Sequence, residues 1–257
     1  MLAVMDVGNS NTVIGLYEGE DLRGHWRIVS EAHRTEDELR IFLHMFLHQE
    51  GLAAHDVTGC CISSVVPPLN RDVLAAARAA FGVEPIMVGP GLKTGLTIQV
   101  ENPKEVGADR IVNAVAAVDA FPDVPLIVLD FGTATTFDAI TANAEYRGGV
   151  IVPGIAISAD ALFEKCAKLP RVEISRPPNV IGRDTVTHIR SGLTYGYADL
   201  VDGLITRMAE EMGTPPTVVA TGGLVEAVAG IARRIDHIDP YLTLKGLKAL
   251  YRRNAKA

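Results

Sequence analysis

Two aspartates in this sequence end apolar runs and are followed at once by small residues: Asp6 in DVGNSNT and Asp130 in DFGTATT. Gly8 and Gly132 let the backbone come close to an oxyanion, and successive N–H groups of such a turn then point at it. Asn9, Asn11, Thr12, Thr133, Thr135 and Thr136 add uncharged donors. Two carboxylates beside a polyphosphate make sense only with cations between them, so the chemistry indicated is phosphate binding with metal ions. A third small-residue turn, Thr221-Gly222-Gly223, follows the apolar stretch Thr217–Ala220. It serves equally well for an adenine ring sliding past the backbone or for plain strand–helix packing. Glu105-Val106-Gly107-Ala108-Asp109-Arg110 sets a carboxylate and a guanidinium after two small residues and before Ile111-Val112. Alone, that pair reads as a solvated helix face. The preceding Asn102-Pro103 and Gly107 point instead to a constrained turn that presents both side chains to a cleft.

The elements that must position these residues repeat. Laid ungapped at an offset of 124, Leu2–Gly24 matches Leu126–Gly148 with seven of 23 positions identical, among them Asp6/Asp130, Gly8/Gly132, Thr12/Thr136, Arg23/Arg147 and Gly24/Gly148. Each copy reads as three strands joined by two turns: Leu2–Met5, Thr12–Tyr17 and Leu22–Val29, then Leu126–Leu129, Thr136–Thr141 and Tyr146–Pro153. Helices follow. Thr35 with Glu38 forms a capping box ahead of an apolar face of Leu39, Phe42, Leu43, Phe46 and Leu47. Ile62–Val66 and Pro85–Val88 are short strands around a helix at Leu69–Phe81. From Pro103 the pattern is helical, with Val106, Ile111, Ala114, Val115 and Val118 spaced for burial. Further helices are predicted at Ser158–Ala167, Thr185–Met212, Leu224–Arg234 and Leu242–Arg253. The fold class is a duplicated two-lobed α/β fold, each lobe a mixed sheet with flanking helices, divided into 1–120 and 121–257. The Thr185–Met212 helix carries Tyr195, Tyr197 and more apolar surface than one lobe needs, which predicts a C2 homodimer.

Composition excludes several classes. Of 257 residues, 48% are hydrophobic and 21% charged, enough for a sizeable core. A net charge of -7 argues against nucleic acid or an anionic membrane as partner. Cys60, Cys61 and Cys166 form no disulfide framework, the N-terminus has no basic n-region, and no uncharged stretch is long enough to span a bilayer, so a cytoplasmic protein is expected. There is no Gly-x-x-x-x-Gly-Lys-Ser/Thr loop and no Gly-x-Ser-x-Gly elbow. His44 and His48 stand at i,i+4 on the flank of the capped helix, where surface histidines explain them better than a metal does.

Two Asp-Gly hairpins and a late strand-Gly-Gly are similar to the actin, Hsp70 and sugar-kinase superfamily, the actin-like (ribonuclease H-like) fold. Within it, DVGNSNT at 6–12, EVGADRIVNAVAA at 105–117, DFGTATTFD at 130–138, GGVIVPGI at 148–155, KLPRVE at 168–173, VIGRDTV at 180–186 and ATGGL at 220–224 resemble type III pantothenate kinase. The resemblance implies an ATP phosphate loop at Asp6, Val7, Gly8, Asn9, Ser10, Asn11, Thr12 and Val13, joined by Thr133. It implies that Gly107, Ala108, Asp109 and Arg110 hold pantothenate, with Asp109 as proton acceptor, and that Thr185 also touches the substrate. Asp130 would coordinate a monovalent cation, K+ or NH4+. Such enzymes use Mg2+ with ATP, act as homodimers and open coenzyme A biosynthesis. Two positions depart from the family pattern: Ser10 replaces a threonine, and Val100 replaces a tyrosine that lines the substrate pocket. The rival readings are a ligand-binding regulator of the same fold, which would not need Asp6, Asp109 and Asp130 together, and a phosphatase, which would lack the GADR and Thr185 elements. A filament protein would need longer insertions.

Overall fold

The structure, a computed structural model, describes residues 1–255. In chain order the strands are β1 (Leu2–Val7), β2 (Asn11–Glu18), β3 (Asp21–Val29), β4 (Gly59–Ser64), β5 (Ile86–Met87), β6 (Thr97–Ile98), β7 (Leu126–Phe131), β8 (Ala134–Ile140), β9 (Glu145–Pro153), β10 (Thr217–Thr221) and β11 (His237–Ile238). The helices are α1 (Glu36–Gln49), α2 (Asn70–Phe81), α3 (Ala108–Ala120), α4 (Ile155–Lys165), α5 (Thr185–Ser191), α6 (Tyr197–Met212), α7 (Glu226–Ala229) and α8 (Leu242–Asn254). They form two compact units. The first holds residues 1–96, 102–119 and the chain from Tyr241 onward; the second holds 97–101 and 120–240.

In the first unit the sheet order is β3-β2-β1-β4-β5, with β2 antiparallel to β1 and β3, and β4 and β5 parallel to β1. β1 is apolar on both sides because helices cover both faces of the sheet. Ala3, Met5, Val7, Cys60 and Ile62 join the helices α1 and α2 in one core. Val4, Cys61 and Tyr17 join Val112 and Val115 of α3 and Leu244, Leu247 and Leu250 of α8 in another. The adjacent cysteines therefore face opposite sides of one strand. Burial pushes the Cys60 thiol up and the Cys61 thiol up to about 12, so both are inert in the core. α1 begins as its sequence requires: Thr35 Oγ1 accepts the Glu38 N–H, and Glu38 Oε2 accepts the Thr35 N–H at 2.8 Å.

The second unit repeats the order as β11-β10-β7-β8-β9, with β6 added alongside β9. The bulges repeat too. Arg23 of β3 and Arg147 of β9 are each skipped in the pairing with the preceding strand. The match at offset 124 holds for β1/β7 and for β3/β9 but slips in between. Val7 pairs with Thr12 across a four-residue loop, whereas Phe131 pairs with Thr135 across three. The structural counterpart of Thr12 is therefore Thr135 and not Thr136, and both are buried, at 2% and 1% exposure.

Three expectations change. The last helix, assigned by sequence to a second lobe running to 257, packs on the first unit's sheet. Gly59 leaves room for the Tyr251 ring, and Gly246 lies against the Val112 carbonyl, so backbone approaches closely where α8 crosses β4 and α3. Lys248 of α8 reaches Glu20 in the β2–β3 turn at 2.8 Å, and Arg252 with Lys248 draws the Glu20 carboxyl down to about 2. The predicted Thr185–Met212 helix is broken by a π-turn at Gly192–Gly196 between α5 and α6. The predicted Leu224–Arg234 helix shrinks to the four residues of α7, stopped at Gly230. Among the described residues no helix is long and apolar enough to cross a membrane.

Candidate active site

The first hairpin turns at the C-terminal end of β1. Gly8 donates its N–H to the Asn11 carbonyl at 3.0 Å, and a Cβ at Gly8 would lie 2.9 Å from that same oxygen, so only glycine closes the turn without displacing it. Asn9, Ser10 and Asn11 are exposed and form the open part of the loop. Thr12 is not. It is buried, with its hydroxyl 2.8 Å from that of Ser30, and it supports the loop from behind; Val13 is half-buried beside it. Asp6 sits next to Ser63 in the parallel pair of β1 and β4, and Ser63 donates its hydroxyl to Asp6 Oδ1 at 2.7 Å. This bond orients the carboxylate.

The Gly107–Arg110 segment comes to the same end of the first unit's sheet. After β4, Val65 donates its N–H to the Val7 carbonyl at 3.0 Å, and a Cβ at Gly107 would reach Val65 Cγ1 at 3.8 Å while colliding with the Asp109 carboxylate. Asn102 accepts the Lys104 N–H and donates to Glu105 at 2.6 Å, making a one-turn 3₁₀ helix at Pro103–Glu105. The continuous helix expected from Pro103 thus starts only at Ala108, and Asp109 lies in the first turn of α3. Asp109 Oδ1 accepts the Arg110 N–H at 2.8 Å. Burial raises the Asp109 carboxyl above its ordinary value; the Arg110 N–H and guanidinium pull it partly back. A desolvated carboxylate of raised basicity is what a proton acceptor requires.

In the second unit the hairpin after Asp130 is held from two sides. Gly132 donates to the Ala134 carbonyl at 3.1 Å, and Gly154, which precedes α4, donates to the Thr133 carbonyl at 3.1 Å with no room for a Cβ between them. Thr135 Oγ1 lies 2.8 Å from the Tyr197 hydroxyl, which also donates to the Pro153 carbonyl at 2.7 Å. Thr221 pairs alongside Asp130. Gly222, at φ 101°, presses on the hairpin so closely that a Cβ would lie 2.6 Å from Asp130 Oδ1 and 2.5 Å from the Phe131 nitrogen. Beyond Gly223 opens a cavity of about 360 Å³, lined by Ile174, Ser175, Arg176, Leu224, Glu226, Ala227 and Ile231 among others. Arg176 is fixed there, its Nε 3.2 Å from the Tyr195 hydroxyl. Val100 follows β6, and its Cγ1 would lie 3.5 Å from a Cβ on Gly148, whose φ is 108°. Thr185 is the exposed first residue of α5, after the cap Asp184.

The sequence-predicted residues thus fall into two sets. Asp6–Val13 and Gly107–Arg110 share one end of the first unit's sheet; Val100, Asp130, Thr133 and Thr185 belong to the second unit. Sequence reading missed Ser63, Gly154 and Tyr197. Ser63 left a trace, a hydroxyl at the end of an otherwise apolar strand; Gly154 and Tyr197 act through tertiary contacts that no spacing reveals. His44 and His48 are exposed, and among the described residues no cluster of three or more His, Cys, Asp or Glu is arranged to hold a metal ion.

A family model described as type III pantothenate kinase matches residues 2–207. A protein from Anaeromyxobacter sp. (strain Fw109-5), named type III pantothenate kinase, is 54% identical over 254 residues, covering 99% of this chain and 100% of its own. Among solved structures, a conserved Campylobacter jejuni protein assigned to the Baf family of transcriptional activators superposes with a TM-score of 0.62 at 19% identity, over 98% of each chain. Component A of (R)-2-hydroxyglutaryl-CoA dehydratase from Acidaminococcus fermentans gives 0.57 at 15% identity, over 97% of this chain and 96% of that one. The polyphosphate/ATP-glucomannokinase of Arthrobacter sp. strain KM gives 0.50 at 14%, over 96% of each. At such identities these structures show the fold alone: the two-lobed actin-like α/β architecture.

Proposed function

Because this chain belongs to the type III pantothenate kinase family, and is thus a transferase that phosphorylates pantothenate in coenzyme A biosynthesis, we propose that ATP is its donor and Asp109 its proton acceptor. The observation that carries the assignment is the raised, desolvated carboxyl of Asp109 at the same sheet end as the Asp6–Gly8 hairpin. In this reading the primary hydroxyl of pantothenate gives its proton to Asp109 as its oxygen bonds to the γ-phosphorus, and ADP leaves. The product is 4'-phosphopantothenate. Asp6, Val7, Gly8, Asn9, Ser10, Asn11 and Val13 form the loop for the nucleotide phosphates, the exposed Asn9, Ser10 and Asn11 meeting them while Gly8 closes the turn, with Thr12 as the buried support and Thr133 contributing from the second hairpin. Gly107, Ala108, Arg110 and Thr185 hold pantothenate, Val100 lines its pocket, and Arg110 meets an anionic oxygen of the reactants. The cavity beyond Gly223 suits the nucleoside, being mostly apolar with a few polar groups.

Single carboxylates such as Asp6 and Asp130 suit ions that keep most of their shell on water and phosphate oxygen, which fits Mg2+ arriving with ATP and K+ or NH4+ at Asp130. Such ions would offset phosphate charge as it develops. We assign the working form as a homodimer. Tyr197 is consumed by the second unit's own core, but Val186 and Leu200 on α5 and α6, with Ile181 and Phe163, remain exposed at 36%, 37%, 85% and 40%. The test is ADP release by the purified protein. Release should require pantothenate and fall sharply when Na+ replaces K+. ADP binding without release in the presence of pantothenate would leave a ligand-binding regulator.

A further inference from the structure

The connection between the first hairpin and α1 carries a cation whose donors are largely unspent. β3 ends at Val29, opposite Asn11. Ser30 then donates its N–H to the Ser10 carbonyl at 3.0 Å, while its hydroxyl meets that of Thr12. The connection therefore departs from the hairpin loop itself. It turns at once, Arg34 donating its N–H to the Glu31 carbonyl at 2.9 Å, and α1 follows from its cap at Thr35.

The Arg34 side chain is only 11% exposed, and its Nε is buried without a hydrogen-bond partner. Its Nη2 stands 3.6 Å from the Glu31 carboxylate, beyond hydrogen bonding. The guanidinium lies 5.1 Å from the centre of the Phe42 ring, a contact that uses its flat face and none of its N–H donors. The carboxylate of Glu38, also nearby, is spent on the N–H and hydroxyl of Thr35 at 2.8 and 3.0 Å. A buried donor left without an acceptor costs stability, and an apolar residue of similar shape in its place is often neutral or stabilising. Meanwhile the loop from which this connection departs at Ser30 has no cation of its own: between Asp6 and Val13 the sole charge is the carboxylate of Asp6. An anion gripped there needs a positive group from outside the loop.

We propose that Arg34 is a phosphate-binding residue of this kinase, its guanidinium fork donating to non-bridging phosphate oxygens of the nucleotide held by the Gly8–Asn11 loop. The proposal rests on the reading of that loop as the nucleotide-phosphate loop. A planar fork suits this task because it can meet two oxygens of one phosphate at once.

Arg34→Met keeps the stem over Phe42 and removes the donors. Calorimetric titration with ADP should show affinity weakened about tenfold or more, and steady-state kinetics should show the ATP KM raised with the pantothenate KM unchanged. The melting temperature of the ligand-free protein should hold or rise, because a buried unmet donor is gone. ADP affinity within twofold of wild type overturns the proposal. So does a raised pantothenate KM with the ATP KM untouched, which would hand Arg34 to the substrate carboxylate. So does a lowered ligand-free melting temperature with ADP affinity intact, which would make the residue structural. If the Met variant does not fold, Arg34→Lys keeps charge and stem without the fork, and about a threefold loss of ADP affinity is expected, no loss being the overturning result. A wild-type protein that does not bind ADP removes the phosphate-loop reading and the proposal with it.

Discussion

Between the paired Val7 and Thr12 the chain turns through four residues, three of them exposed, closed by the Gly8 N–H on the Asn11 carbonyl and met from outside by the Ser30 N–H on the Ser10 carbonyl. After Asp130 it crosses in three, and that shorter loop is pressed by Gly154 from the start of α4 and by Gly222 from the end of β10. The strand order, the parallel partner and even the bulged arginine are the same in both units. A duplication has thus kept its scaffold and diverged in how tightly each loop is held. An open loop tolerates change locally; a clamped one transmits it to the sheet and helices that do the clamping.

The largest effect is expected at Asp109, the proposed proton acceptor beside the open hairpin. Asp109→Asn should lower kcat by roughly 10²–10⁴ in single-turnover measurements with ATP binding kept. A loss under about tenfold would mean the carboxylate only positions the hydroxyl. The pH profile gives the same answer independently. A proton acceptor must be ionised, so kcat/KM for pantothenate should fall on the acid side along a limb displaced upward from the ordinary aspartate range, and the Asn variant should lack that limb. Stability runs the other way. A carboxyl raised on folding binds protons more tightly in the native state, so its contribution declines as pH rises from the unfolded value through the folded one and stays low above it. Asp109→Asn should therefore hold or raise the melting temperature at neutral pH.

Next comes the clamp. Gly222→Ala adds a methyl where the backbone is left-handed and the Phe131 nitrogen is in the way, and should cost about 3 kcal/mol or more in urea unfolding. Gly8→Ala meets one carbonyl that can shift, and should cost about 1 kcal/mol. Equal losses would mean the two loops are held alike. The smallest effect is expected at Val100, where Val100→Tyr should move the pantothenate KM by an amount worth ~1 kcal/mol with kcat little changed. An unmoved KM would show that the Gly148–Val100 contact faces away from substrate.

The hairpins were legible because an apolar run, an aspartate and a glycine are local signals, and two copies reinforce each other. The slip within β8 was hidden by an accident of composition: Thr135 and Thr136 stand side by side, so an ungapped match found a threonine opposite Thr12 either way. Which of them is buried depends on loop length, set by the Gly132–Ala134 bond and not by residue type. The Thr35–Glu38 cap was legible for the same local reason as the hairpins. The shortening of the helix after Gly223 was foreshadowed only by Gly230, a weak signal inside an otherwise helical pattern. Asp109 stood out through its small neighbours, whereas Ser63, which holds Asp6 from 57 residues along the chain, is brought in by the pairing of β4 with β1. The destination of α8 was not legible at all. An amphipathic pattern says that a face is buried without saying against what.

That last helix imposes an order on the making of the protein. Translation delivers every residue of the second unit before Leu242–Asn254 exists, while the first sheet's strands are complete at Met87. The face bearing Val4 and Cys61, over which Leu244 and Leu247 will lie, waits for some 155 residues to be added, on the order of ten to thirty seconds at ordinary ribosomal speed. During that interval the half begun first is the half left unfinished, and the unit begun second is free to fold ahead of it. Until then α3 alone of its two helices, through Val112 and Val115, covers that face of the nascent first unit.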